Sequence, residues 1–317
     1  MKESTLQKLR VPGNINIQLT LESGDLTSGK LQGDGKTFSI VDGIPRLLAE
    51  RYDEYTSRSF SAEWNELKVT DDVWGRPVNE RIKEELVYLE IPFDRLRGLD
   101  FLDVGCGNGL FAKAIATNYH ANMIAMDIST GLEIAKKLSN PSEAIDFVQA
   151  DSQYPPFAPN SFDIIWCAGS LHHVTNPRKT FRGLVPLLKK DGRIFLWLYA
   201  VPEKATFRYL ARGFTKTIVC RLPVFLQNIA IFFIACFTIV KQFILVKILQ
   251  RKPEVPFVSK LRHHRMMARN TYTIRYDWHL RKEEVEEWHK ECDLKSIYVK
   301  YVTLSDGRWL AALAQKT

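Results

Sequence analysis

A chain of 317 residues is long enough for one large α/β domain with additions or for two modest domains. Hydrophobic residues make up 45% and charged residues 25%, an ordinary globular balance that excludes a disordered or fibrous chain. The formal charge of +8 is unevenly spread: residues 203–275 hold 14 Lys and Arg against two acids, which leaves the remainder net acidic.

The five cysteines, Cys106, Cys167, Cys220, Cys236 and Cys292, are widely spaced and form no C-x-x-C pair. That pattern argues against a disulfide framework and against a cysteine-rich zinc site, so no metal is expected. Met1 to Arg10 is polar and charged and lacks the apolar centre of a signal peptide, which points to a cytoplasmic setting.

In chain order, residues 1–50 read as a small β module. Ile15, Ile17, Leu19 and Leu21 alternate with polar residues as in a half-buried strand, and Asp42-Gly43 signals a turn. Residues 51–94 read as a helical cap carrying the aromatics Tyr52, Tyr55, Phe60, Trp64 and Trp74. From residue 95 to 202 strands and helices alternate. Strands are expected at 99–104, 123–127, 146–151, 162–167 and 192–199, with helices near 108–118, 130–139 and 177–189. This alternation implies βαβ units and a parallel, doubly wound Rossmann-like sheet covered on both faces. Residues 203–275 interrupt it with a basic, apolar helical insertion. Residues 276–317 complete the core with a helix at 282–292 and strands at 297–304 and 308–314. The Asp306-Gly307 turn between those strands predicts a C-terminal antiparallel hairpin.

The strongest chemical signal is Asp103-Val104-Gly105-Cys106-Gly107-Asn108-Gly109, set between an expected strand and helix. Glycines there permit a tight turn and let a ligand approach the backbone beside a helix N-terminus. A dinucleotide fingerprint spaces its glycines G-x-G-x-x-G. Here the spacing is G-x-G-x-G, with an acid two residues ahead that would repel a pyrophosphate and suit a cationic or amino-bearing ligand. Asp127 ends the next strand, where an acid can accept from both hydroxyls of a ribose, and Asp151-Ser152 ends the third. Cys167-Ala168-Gly169 ends the fourth, where the crevice opens.

The ordered set DVGCGNG, AMDIS, Asp151-Ser152, FDIIWCAGSLHHVTNP and DGRIFLWLY resembles the class I S-adenosylmethionine-dependent methyltransferases, in the small-molecule branch with a methyltransf-11-like core. The resemblance covers roughly residues 95–200, and residues 277–314 fit the same fold. It implies that S-adenosyl-L-methionine is the methyl donor and S-adenosyl-L-homocysteine the product. It places the methionine moiety on Asp103, Gly105 and Gly107, with Cys106, Asn108 and Gly109 in the same loop, and the ribose on Asp127. Ile128 packs on the adenine, Asp151 and Ser152 contact its polar edge, and Cys167 contributes a backbone carbonyl next to Ala168.

The same resemblance places His172 and His173 where acceptor and methyl meet, so that one takes the acceptor proton or both pack and orient the donor. Trp64 is a candidate for the acceptor pocket, from a helix over the donor, or for plain packing. Asp277 and His279, in Tyr276-Asp277-Trp278-His279, are substrate-pocket candidates or a cap and a surface histidine. Residues 1–50, ending in IVDGIPRLL, are similar to the zinc-ribbon-like (Trm112-like) module in front of some bacterial methyltransferases, but residues 1–105 contain no cysteine, so any metal site is lost. Nothing after the fourth strand resembles the Asn/Asp-Pro-Pro-aromatic signature of base-amino methylation.

Leu222 to Val240 is 19 residues without a charge, near the length of a membrane span. A single crossing would strand the last two strands on the far side from the sheet they complete. Three readings stand: a lid lying in an anionic membrane interface, a lid over a greasy acceptor, or an oligomerisation helix pair. The local charge favours the membrane, with a peripheral place at its inner face. Nucleic acid is disfavoured, because a solvated RNA surface needs no such apolar run. The sequence therefore points to methyl transfer onto a small-molecule or lipid-linked acceptor. A non-catalytic donor-binding membrane partner, or an RNA methyltransferase, is the alternative.

Overall fold

A computed structural model describes residues 1–66, 72–73, 76–139, 145–204, 207–249, 257–304 and 307–317. The N-terminal part runs through helix α1 (Glu3–Lys8) and strands β1 (Arg10–Val11), β2 (Asn14–Gln18), β3 (Thr20–Gly24), β4 (Gly29–Gly33), β5 (Lys36–Val41) and β6 (Ile44–Leu47). Helix α2 (Glu54–Glu66), the short pair β7 (Asp72–Val73) and β8 (Arg76–Pro77) and helix α3 (Val78–Leu86) lead into the core. The core alternates β9 (Asp100–Val104), α4 (Leu110–Tyr119), β10 (Asn122–Asp127), α5 (Gly131–Leu138), β11 (Ile145–Ala150), β12 (Phe162–Ala168), α6 (Pro177–Leu184) and β13 (Leu188–Tyr199). The insertion is three helices, α7 (Phe207–Val219), α8 (Val224–Leu249) and α9 (Phe257–Thr273), followed by α10 (Lys282–Glu291), β14 (Leu294–Leu304) and β15 (Gly307–Lys316).

One sheet of eleven strands, in the order β14-β15-β13-β12-β9-β10-β11-β6-β5-β4-β3, forms the frame. Strands β9 to β13 pair in parallel and β15 joins β13 antiparallel. Residues alternate between two cores, as the period of a strand requires. Leu102, Val104, Ile124, Met126 and Val148 pack on one face, and Phe101, Met123, Ala125, Ile145 and Phe147 on the other. The chain runs outward from β9 in both directions, so the order reverses there and a crevice opens at the carboxyl ends of β9 and β12.

Three details differ from the sequence reading. The N-terminal strands are continuous with the central sheet, because β6 pairs in parallel with β11 through Gln149–Arg46 and Ala150–Leu47. The expected strand from Ile15 to Leu21 breaks at Leu19, whose amide turns to the carbonyl of Leu9, and this leaves Leu21 exposed. The expected helix at 177–189 ends at Leu184. Pro186 lies in a short 3-10 turn, and Leu188 already pairs with Phe162. At the C-terminal hairpin, Leu304 faces Gly307, while Asp306 lies outside the described residues, as does Trp74.

Candidate active site

The loop after β9 is built by close approach. Gly105, Gly107 and Gly109 have φ of 78°, 58° and 70°, a left-handed backbone that side chains disfavour. A Cβ on Gly105 would come within 2.3 Å of the Ser170 side chain, and one on Gly107 within 2.3 Å of the Trp64 indole. The amides of Gly105 and Cys106 both donate to the Met126 carbonyl, at 2.7 and 3.1 Å, which draws the loop towards the end of β10.

Three carboxylates stand at the ends of three adjacent strands, all buried: Asp103 on β9, Asp127 ending β10 and Asp151 just after β11. Burial, with Asp127 and Glu85 nearby, pushes the Asp103 carboxyl up to about 8. Burial also raises Asp127, against hydrogen bonds that favour its charge. Its Oδ2 accepts from the Gly107 amide at 2.8 Å and its Oδ1 from the Ser129 amide at 2.7 Å. Asp151, likewise raised by burial, accepts from the Gln153 amide at 2.9 Å and the Asp53 amide at 3.4 Å. Desolvated carboxyls held this way stabilise a cationic ligand and gain from its arrival.

The remaining residues expected to hold the donor lie around these acids. Asn108 is nearly buried and its Oδ1 accepts from the Leu110 amide at 3.4 Å. Ile128 is half-buried, and its carbonyl accepts from Ser57 Oγ at 2.9 Å. Ser152 and Ala168 are half-buried beside Asp151 and Cys167. Cys167 is fully buried, with its thiol 3.2 Å from Ser170 Oγ; burial pushes that thiol up to about 12 and raises Cys106 as well. Neither is an activated nucleophile.

Helix α2 closes the cleft from above. Ser57 reaches the Ile128 carbonyl, Ser61 Oγ accepts from the Thr130 amide at 3.0 Å, and Trp64 lies on Gly107 and Gly131. Trp64 therefore packs on the glycine loop, one turn along α2 from Phe60, which meets His173. The Tyr55 hydroxyl is shared between the carbonyls of Cys220 and Thr273, at 3.0 and 2.8 Å, so the lid is tied to the insertion.

The other acceptor candidates converge. His172 and His173 are buried, with ring centres 4.2 Å apart. His173 Nδ1 lies 2.9 Å from the Tyr276 carbonyl, which can only accept, so Nδ1 carries the proton and Nε2 a lone pair. His173 also meets Phe60 of α2 at 5.4 Å, while His172 packs on Tyr199 at 3.9 Å. Burial lowers both histidines, His173 to about 4, and lowers His279. Tyr199 stacks on His279 at 5.6 Å, and Lys216 of α7 pairs with Asp277 at 3.0 Å. Sequence reasoning missed Tyr199 and Lys216. Tyr199 ends β13, so the strand-end rule that found the acids could have found it. Lys216 is one cation in a basic helix, and nothing local marks it as buried.

The insertion exposes an apolar face. Gln227, Ile231 and Ala235, one turn apart on α8, are buried, whereas Val224, Phe225, Phe233, Phe237 and Phe243 are more than half exposed. Val224–Lys241 has a mean hydropathy of 2.0 and is long and apolar enough to cross a membrane, yet only 17% of it is buried.

Comparison with known proteins agrees with this geometry. Residues 102–196 match the methyltransferase domain family. The chain is 36% identical over 104 residues to a ubiquinone biosynthesis O-methyltransferase of Xanthomonas campestris, covering 32% of this chain and 43% of that one. It is 33% identical over 106 residues to a demethylmenaquinone methyltransferase of Clavibacter sepedonicus, covering 33% and 43%. The chain thus spans less than half the length of these relatives. Among solved structures, magnesium protoporphyrin IX methyltransferase of Synechocystis, with bound S-adenosylhomocysteine, superposes with a TM-score of 0.52 at 12% identity, over 83% of this chain and 97% of that one. Phosphoethanolamine N-methyltransferase 2 of Haemonchus contortus gives 0.50 at 15% identity, over 75% and 52%. Residues 102–196 thus match a methyltransferase domain, and the wider chain shares the fold of solved methyltransferases.

Proposed function

We propose that the protein transfers a methyl group from S-adenosyl-L-methionine to a small-molecule acceptor, releasing S-adenosyl-L-homocysteine, at the surface of an anionic membrane. The observation that carries this reading is the row of three desolvated carboxyl groups at adjacent strand ends, two of them beside a left-handed glycine loop. A positively charged donor repairs their desolvation, and a pyrophosphate would worsen it. When bound, the donor supplies a methyl group already activated on a sulfonium.

The chain's own residues then bind, align and exclude water. Asp103, Gly105 and Gly107 hold the amino-acid end of the donor, beside Cys106, Asn108 and Gly109. Asp127 holds the ribose, Ile128 the adenine face, Asp151 and Ser152 its polar edge, and Cys167 with Ala168 the floor of the crevice. Helix α2 covers the cleft through Ser57, Ser61 and Trp64. Of the two histidines, His173 has the base-ready tautomer, fixed by the Tyr276 carbonyl, and His172 backs the site against Tyr199. The relatives named for ubiquinone and menaquinone support a small-molecule acceptor, free or lipid-linked.

The exposed phenylalanines of α8 and the basic charge of residues 203–275 support peripheral membrane binding on the cytoplasmic side. That β13 before the insertion and β14 after it share one sheet supports an interfacial α8 over a single crossing. Calorimetric titration with S-adenosylmethionine tests the donor site. Asp127→Ala is expected to weaken binding by about 1.5–3 kcal/mol, through loss of charge-assisted hydrogen bonds; unchanged affinity refutes the assignment. Flotation with phosphatidylglycerol vesicles tests the membrane reading. Binding should fall with salt and with Phe233→Ser plus Phe237→Ser, and absence of binding refutes it.

A further inference from the structure

The insertion does more than offer a surface. Its Lys216 side chain is only 14% exposed and lies 3.0 Å from Asp277 Oδ2, itself 15% exposed. Asp277 sits in the segment that returns to the core. There the Trp278 amide donates to the His172 carbonyl at 3.0 Å, and the Tyr276 carbonyl holds His173. Beneath them the His172 ring is fully buried. Among the described residues, both ring nitrogens of His172 and Asp277 Oδ1 are buried and make no hydrogen bond, and Lys216 Nζ is buried with Asp277 Oδ2 as its ion-pair partner. Buried polar groups are nearly always paired, so three unpaired atoms at one joint need an explanation beyond packing.

We propose that Lys216, Asp277 and His172 anchor the polar end of the methyl acceptor, and that this acceptor is an uncharged molecule presenting a hydroxyl. The site rests on the methyl-transfer reading above and gives that reaction a specificity residue from the insertion. The unmet valences define the class. Lys216 and Asp277 cancel in charge, and the buried His172 is neutral, with one donor and one acceptor nitrogen. Lys216 Nζ has donors to spare, and Asp277 Oδ1 has lone pairs. A hydroxyl both donates and accepts and answers such a set. A carboxylate or phosphate would face Asp277 with no proton to give, and an ammonium would face Lys216. Tyr199, with His279 at 5.6 Å and Trp309 at 4.8 Å, supplies an aromatic wall for a ring or apolar body.

In the step itself, the acceptor oxygen bonds to the donor's methyl carbon as the carbon–sulfur bond breaks and leaves its electron pair on sulfur. The hydroxyl proton passes to His173 Nε2. The products are a methyl ether, a thioether and a protonated imidazole that returns its proton to water.

The test uses the full chain, methyl-labelled S-adenosylmethionine and the lipid and aqueous fractions of the source cells as separate acceptor pools. The labelled product should survive mild alkali and release methyl iodide in hot hydriodic acid, the behaviour of an ether. Label in the lipid pool identifies a lipid-linked hydroxyl, and label in the aqueous pool a soluble one. Lys216→Met should raise the amount of that fraction needed for half-maximal rate at least tenfold. Its saturating rate and donor affinity should stay within about twofold, and Lys216→Arg should recover most of the loss. A purely structural Lys216 would instead lower donor affinity and rate together. An alkali-labile ester, a methylated amine or an unchanged half-saturation in Lys216→Met overturns the proposal while methyl transfer stands. Failure to bind donor overturns the methyl-transfer reading and the site with it.

Discussion

Replacing Asp103 by Asn exchanges a desolvated carboxyl for a neutral group of the same shape. Burial, aided by Asp127 and Glu85, raises this carboxyl from 3.8 to about 8. An acid raised in the folded state is protonated there while the unfolded chain has already lost its proton, so folding loses stability as pH rises above 3.8, and the loss stops growing above 8. At about 1.36 kcal/mol per pH unit, the span of roughly three units up to pH 7 is worth about 4 kcal/mol. The buried amide of Asn brings its own unmet donors at about 1–3 kcal/mol, which leaves a net gain of about 1–3 kcal/mol at pH 7. Urea unfolding of both proteins at pH 5, 6, 7 and 8 reads this directly. The variant should be the more stable at pH 7 and 8, and the gap should narrow towards pH 5. A variant no more stable than the parent at pH 8, or a gap indifferent to pH, would refute the reasoning. The same variant should bind S-adenosylmethionine poorly, since the strained carboxyl is stability given up for function.

Two further outcomes follow from the same geometry. A cation arriving beside Asp103 lowers its pKa again, so donor binding should release protons, and affinity should rise by up to about tenfold per pH unit below 8. Calorimetry in buffers of different ionisation enthalpy checks this; in Asp103→Asn the Asp103 contribution to the release should vanish. Gly107→Ala drives a methyl group to 2.3 Å from Trp64 at a backbone φ of 58°, and should cost about 1–3 kcal/mol by unfolding midpoint. Adding Trp64→Ala should return the steric part, and strict additivity of the two changes would contradict the placement of Trp64 on the loop.

Legibility from sequence followed locality. The parallel core was readable because four of its five strands, β9 to β12, are short apolar runs closed by an acid or a glycine, as in Leu102-Asp103-Val104-Gly105 and Ala125-Met126-Asp127. The acids at those strand ends came with it, since strand ends define the crevice. Long-range pairing was not readable. Nothing in Ile44–Leu47 announces that Arg46 and Leu47 lie beside Gln149 and Ala150, about 100 residues away, and so join the N-terminal strands to the central sheet. Trp64 was found as an aromatic over the site, but only the fold places it on Gly107. Lys216 escaped because its neighbours Arg212 and Arg221 are exposed and the sequence gives all three the same appearance; the partner that buries it, Asp277, is 61 positions away.

The central claim is that this cleft moves a methyl group. The most direct measurement is transfer of label from methyl-labelled S-adenosylmethionine into lipid, aqueous, protein and RNA fractions of the source cells by the purified chain. Label in a small molecule of the lipid or aqueous fraction, sharply reduced in Asp127→Ala at limiting donor, is the predicted result. Label confined to RNA or protein, or a chain that binds the donor and labels nothing, would contradict the account.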